Sequence, residues 1–230
     1  MMKLTRNIFV FCIVWLGMML PAFADSLTHI PETQELREIE ITKLQTLDEL
    51  SEQQQRLLWF IQASYWMIGK NAQFEQIETL DKQIESYLKS HSKDYELMAL
   101  RGSIISFKVT YVLQNLSKVR QFGSQANRLM DRAVNAAPEN LGARLQRGIN
   151  SAIVPSFLRR AHYGVSDLSY LKQELGENIA PGFLNMLDTF LALALRNDNK
   201  QDEARTLWKT VIAKKDPVWS VQAAQYLDDM

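Results

Sequence analysis

The sequence predicts an all-α fold, and three observations carry that reading. Beyond Pro31, apolar residues recur every three or four positions almost without interruption, which is the spacing of a helical face. No short segment alternates strictly between apolar and polar residues; Leu36–Leu44 comes nearest, and its pattern still favours helix. Nine Gly and six Pro among 230 residues are too few for a turn-rich β domain.

The first element is a leader, residues 1–24. Lys3 and Arg6 precede an uncharged run from Ile8 to Leu20, and Ala22-Phe23-Ala24 closes it. A basic start, a short apolar stretch and a small-x-small end are the marks of a secretory signal peptide, with cleavage expected after Ala24. The run falls short of the ~20 apolar residues of a spanning helix. Cys12, the one cysteine, lies inside it behind Val10-Phe11, not behind the small residue a lipoprotein needs. Removal of the leader leaves no thiol, and 24 basic against 26 acidic groups, a net of −2. The expected compartment is the periplasm, and the remaining chain has no second apolar run of membrane length.

Residues 25–50 form a helical lead-in ahead of a repeat domain, 51–230. In the next helix Leu57, Leu58, Ile61, Tyr65 and Ile68 make one stripe, and Trp59 and Trp66 a second, so it should sit between neighbours and end at Asn71. Phe74, Ile77, Leu80, Ile84, Tyr87 and Leu88 mark a narrower amphipathic helix that gives out at Ser90-His91-Ser92. Asp94 is an N-cap for a helix carrying Leu97, Leu100 and Ile104, extending toward Val112. Ala126, Met130, Ala133 and Val134 follow, stopped at Ala137-Pro138, and Leu141, Leu145, Ile149 and Ile153 run up to Pro155. After an insert from Pro155 to Gly164, helices are expected over Asp167–Leu175, Phe183–Leu195, Asp202–Lys214 and Val218–Leu227.

A repeat underlies these helices. Leu191-Ala192, Leu195, Ala204, Trp208, Val211 and Pro217 resemble one tetratricopeptide (TPR) unit, and Ala126, Met130, Ala133 and Pro138 repeat its second-helix pattern. Gly148 falls where that family places a small residue, and Ala99-Leu100-Arg101-Gly102 echoes Leu145-Gln146-Arg147-Gly148. Small side chains let paired helices approach while a bulky one fills the gap. The resemblance is best over Ala126–Ile153 and Phe183–Leu227. It departs from the family in lacking the usual first-helix tryptophan and tyrosine, in uneven unit lengths and in the insert. It implies a short α-solenoid of antiparallel helix pairs that holds a protein or peptide, as a scaffold or adaptor in an envelope assembly or export system.

Composition and motifs narrow the chemistry. Equal numbers of basic and acidic groups argue against general nucleic-acid binding. His29, His91 and His162 lie in separate segments, with no zinc motif, acidic calcium loop or glycine-rich phosphate loop, so no metal or cofactor is expected. Ser86, Ser90 and Ser169 each precede a lysine by three, the spacing of penicillin-recognising enzymes. The accompanying motifs fail, because Ser166-Asp167 is followed by Leu168 and Lys209-Thr210 by Val211. No carboxylate pair stands out from the solvated acidic faces, and the expected activity is binding without catalysis.

Two places suit a partner. The insert brings Phe157, Arg159, Arg160, His162 and Tyr163 together, a mixture able to grip an acidic group while rings add apolar contact. The favoured bland reading packs Phe157 and Leu158 inward and leaves Arg159 and Arg160 in water. The second place is the aromatic helix with Trp59 and Trp66, read chiefly as core but also as an anchor for a partner or a pocket for a small or lipidic ligand.

Overall fold

The computed structural model describes residues 30–31, 33–69, 72–176 and 180–230; the leader with Cys12 and Ala24, His29, and the expected stop at Asn71 lie outside them. Among the described residues there are ten α-helices and no strand. They are α1 (Gln34–Gln45), α2 (Glu52–Gly69), α3 (Phe74–Ser90), α4 (Tyr95–Lys108), α5 (Leu116–Ala136), α6 (Leu141–Ile153), α7 (Ala161–Leu175), α8 (Pro181–Asn197), α9 (Gln201–Ala213) and α10 (Trp219–Asp228). The all-α expectation holds, including helix over Leu36–Leu44.

Capping sets several starts. The carboxylate of Asp94 accepts from the Leu97 N–H at 3.0 Å, as the sequence predicts, and Asn140 accepts from Ala143 N–H at 2.7 Å. Asn115 does the same for Lys118, so α5 begins well before Ala126, its narrow stripe continued upstream by Val119 and Phe122. The insert is shorter than the sequence implies. Ser156–Leu158 form one 3-10 turn and α7 already starts at Ala161. Gly164 misleads there: it is not a loop glycine but a helical one, admitted because a Cβ would stand 2.9 Å from that of Ala194 and 3.2 Å from the Ala152 backbone nitrogen.

The core forms four clusters along the chain. Leu44, Leu58 and Ile61 make the first, and Trp59, Phe60 and Ala63 join α3 and α4 in the second, so α2 does lie between two neighbours. Helix α4 repeats the device, turning Leu97, Leu100 and Ile104 toward α2 and α3, and Met98, Ala99 and Ile105 toward α5. The largest cluster joins α6 to α10 around Leu168, Leu187, Leu191 and Trp208.

Close contacts are made through small residues. A Cβ on Gly102 would lie 2.6 Å from Met130 Cγ, and one on Gly148 3.0 Å from Leu168. Helices α2, α4, α6 and α8 are successive neighbours, while α3, α5, α7 and α9 pack chiefly against the helices adjacent in sequence. The four neighbours run the same way. Glu96 and Gly142 bring the starts of α4 and α6 together, Tyr111 donates to the Ala72 carbonyl beyond the end of α2, and Asn197 donates to Ala152 near the end of α6. The loops leading into α3, α5, α7 and α9 therefore gather on one edge.

Candidate functional site

Two groups of buried charge flank the repeated Arg-Gly positions. Asp167 of α7 is fully buried and receives Arg144 at 2.8 Å and both Nε and Nη2 of Arg147. Burial opposes the charge on Arg147, but the hydrogen bonds and attraction of Asp167, with Asp131 behind it, outweigh that and raise its pKa. Arg160 meets Asp131 of α5 through two bonds of 2.7 Å. The ring of Tyr163 is shared between Arg147 and Arg160, at 4.8 and 4.4 Å, and Tyr170 lies 4.1 Å from Arg144.

This geometry reverses the bland expectation for Phe157, Leu158 and Arg160, and keeps it for Arg159. Phe157 is 78% exposed and Leu158 49%, whereas the Arg160 side chain is nearly buried. The reason is electrostatic: Asp131 and Tyr163 hold the guanidinium at the root of the turn, which leaves the preceding residues no core to enter. Arg159 stands in water at φ 55° and closes the 3-10 turn. His162 is exposed, its ring 4.0 Å from that of Tyr163. Arg160 and Tyr163 thus belong to a brace, and Phe157 and Arg159 to a tip.

The second predicted place is interior. Trp59 is buried and meets Tyr87 edge to face at 5.3 Å, and Trp66 packs partly buried on the same cluster. Tyr87 stacks on His91 at 3.9 Å and donates to Glu52; burial first, then that bond, raises the phenol's pKa. The aromatic stripe is filled by the protein's own side chains.

A cleft of about 350 Å³ opens between α3, α4 and α5. On its floor Asp81 receives Arg101 at 2.7 Å and also Lys108, whose ammonium bonds Glu78 at 2.7 Å and lies 5.7 Å from the Phe122 ring. Arg101 reaches on to Glu85 at 2.6 Å. Phe74, Lys82, Lys118 and Gln125 complete the rim. The hydrogen bond from Lys108 is the main cause that lowers the Glu78 pKa.

No sequence motif marks this cleft. Its signal is nevertheless present: Asp81 falls between Ile77 and Ile84 on an apolar stripe, and Arg101 between Leu97 and Ile104, so both charges had to be buried and paired. Among the described residues no group of three or more His, Cys, Asp or Glu is placed to hold a metal, and no helix is long and apolar enough to cross a membrane. Compared with protein-family models, curated proteins and solved structures, the chain matches none.

Proposed function

We propose that the chain is an exported, periplasmic TPR-like protein, a short solenoid of antiparallel helix pairs that binds a protein or peptide and performs no catalysis. The observation that carries this reading is the succession of pairs α2/α3, α4/α5, α6/α7 and α8/α9, with the first helix of each pair beside the first helix of the next. Between the second helices of the first two pairs lies the charged cleft, which we assign as the partner site. Its floor charges satisfy one another, while Lys82, Lys118 and Glu85 are exposed and Phe74 and Phe122 add aromatic lining. Groups of both signs beside aromatic rings suit a peptide main chain with mixed side chains.

The alternative, a small or lipidic ligand held at Trp59 and Trp66, has less support because that stripe is packed shut.

A photoreactive residue at Gln125, inside the cleft, tests the proposal against one at Arg205 on the exposed face of α9. In cells, a discrete protein adduct from position 125 that is absent from 205 supports a partner in the cleft. Equal labelling, or none at 125, would overturn it.

A further inference from the structure

Two neighbouring loops on one edge expose apolar side chains that a water-facing turn does not need. Leu113 and Leu116, at the junction of α4 and α5, are 63% and 79% exposed, and Ile153, Phe157 and Leu158 stand out at the junction of α6 and α7. Because α4 and α6 are parallel neighbours, these loops are about one helix spacing apart, ~8–10 Å. The fourth loop of the same edge, 198–200, is polar, its Lys200 paired with Asp198 at 2.9 Å, so the patch ends there.

The exposure is built in. Leu158 N–H donates to Pro155 and Arg159 N–H to Ser156, closing the turn, while the Arg160–Asp131 pair fixes its root to α5. A rigid tip presents Phe157 without the ordering cost of a floppy loop.

Charge identifies the occupant. From Leu97 to Met130 and from Asn140 to Ser166 the chain has no Asp or Glu. Lys118, Arg120 and Arg159 are exposed at this end of the molecule, and no ion pair engages them among the described residues. The opposite edge is mixed, with exposed Asp48, Glu49 and Glu139 beside exposed Lys89, Lys93, Lys214 and Lys215, so the unbalanced positive charge belongs to these two loops. Two copies meeting through this edge would bring like charges together. Apolar tips ringed by free cations match an anionic bilayer, where rings and leucines enter the headgroup boundary and cations meet phosphate.

We propose that the α4–α5 and α6–α7 loop edge rests on an anionic lipid surface, with Leu113, Leu116, Phe157 and Leu158 inserted and Lys118, Arg120 and Arg159 as its electrostatic contacts. Lys118 also lines the cleft, but Arg120, Arg159 and the apolar tips lie outside it, so the proposal stands without a cleft partner.

The test uses the full chain with Cys12→Ser and an environment-sensitive dye on either Ser156→Cys, at the tip, or Glu139→Cys, on the opposite edge. Vesicles rich in phosphatidylglycerol should shift the dye to the blue at 156 and leave it unchanged at 139, and phosphatidylcholine vesicles should shift neither. Lys118→Glu with Arg120→Glu should weaken the 156 response about tenfold or more, by reversing charge at the surface. Phe157→Ser with Leu116→Ser should abolish it, with helical circular dichroism unchanged because all four residues are exposed. Equal shifts at both positions would mean attachment through another segment. A shift at 156 that grows with protein concentration without lipid would mean a second copy. Either result, or no shift at 156, overturns the proposal.

Discussion

Arg147 grips Asp167 through two parallel hydrogen bonds, Nε to Oδ2 at 2.7 Å and Nη2 to Oδ1 at 2.9 Å, inside the contact between α6 and α7. Arg144 adds a third bond to the same carboxylate. Removing the anion leaves Arg147 only the more distant Asp131 at 3.7 Å as a charge partner, and Arg144 only the Pro138 carbonyl as an acceptor. Asp167→Ala should therefore cost about 3–5 kcal/mol in urea unfolding, the range for a buried pair broken from one side. A loss under about 1 kcal/mol would show that the cations escape to water and that the pair is not structural.

Two helical glycines should respond in opposite directions. At Gly102 an added Cβ meets Met130 Cγ at 2.6 Å and the Ala126 carbonyl at 3.0 Å, so Gly102→Ala should destabilise by about 1–3 kcal/mol through overpacking. At Gly123 in α5 nothing lies within 4 Å, and Gly123→Ala should stabilise by about 0.5–1 kcal/mol. Melting of the two variants beside the parent checks both signs.

Acid should loosen the C-terminal helix. Burial works to raise the Asp216 pKa, but the N–H of Trp219, the Asn185 amide and the N–H of Val218 outweigh it and leave the carboxyl below its ordinary value. A depressed carboxylate lends stability that is whole above the unfolded value, about 4, and is lost as pH falls through the folded one. Glu78 has the same sign. Asp216→Ala should remove about 1 kcal/mol of capping at neutral pH and flatten the decline of stability below about pH 4. An unchanged acid limb would assign the decline to other carboxylates.

Apolar spacing made the helices legible, and Asp94 and the two faces of α2 could be placed from sequence alone. The starts of α5 and α7 could not. The first lies in a polar stretch and the second follows a Pro and mixed aromatic and basic residues with no clear period, and there tertiary contacts, such as Gly164 against Ala194, decide what local pattern leaves open. The insert was legible as a special segment but not in its orientation. Which residue turned inward depended on Asp131, far away in sequence, and no local count of aromatic and basic groups contains that partner. The cleft was missed for a related reason: Asp81 and Arg101 look like interruptions of apolar stripes until the stripes face each other.

The division of the core also bears on how the molecule comes apart. Leu44, Leu58 and Ile61 form a small cluster at one end, while fourteen buried residues from Leu145 to Ala223 share one cluster at the other. Nearest-neighbour stacking ties each helix to those beside it without binding both ends into one unit. Opening should therefore run along the chain as a graded sequence, with α1 released first and α6 to α9 holding their amide protons longest.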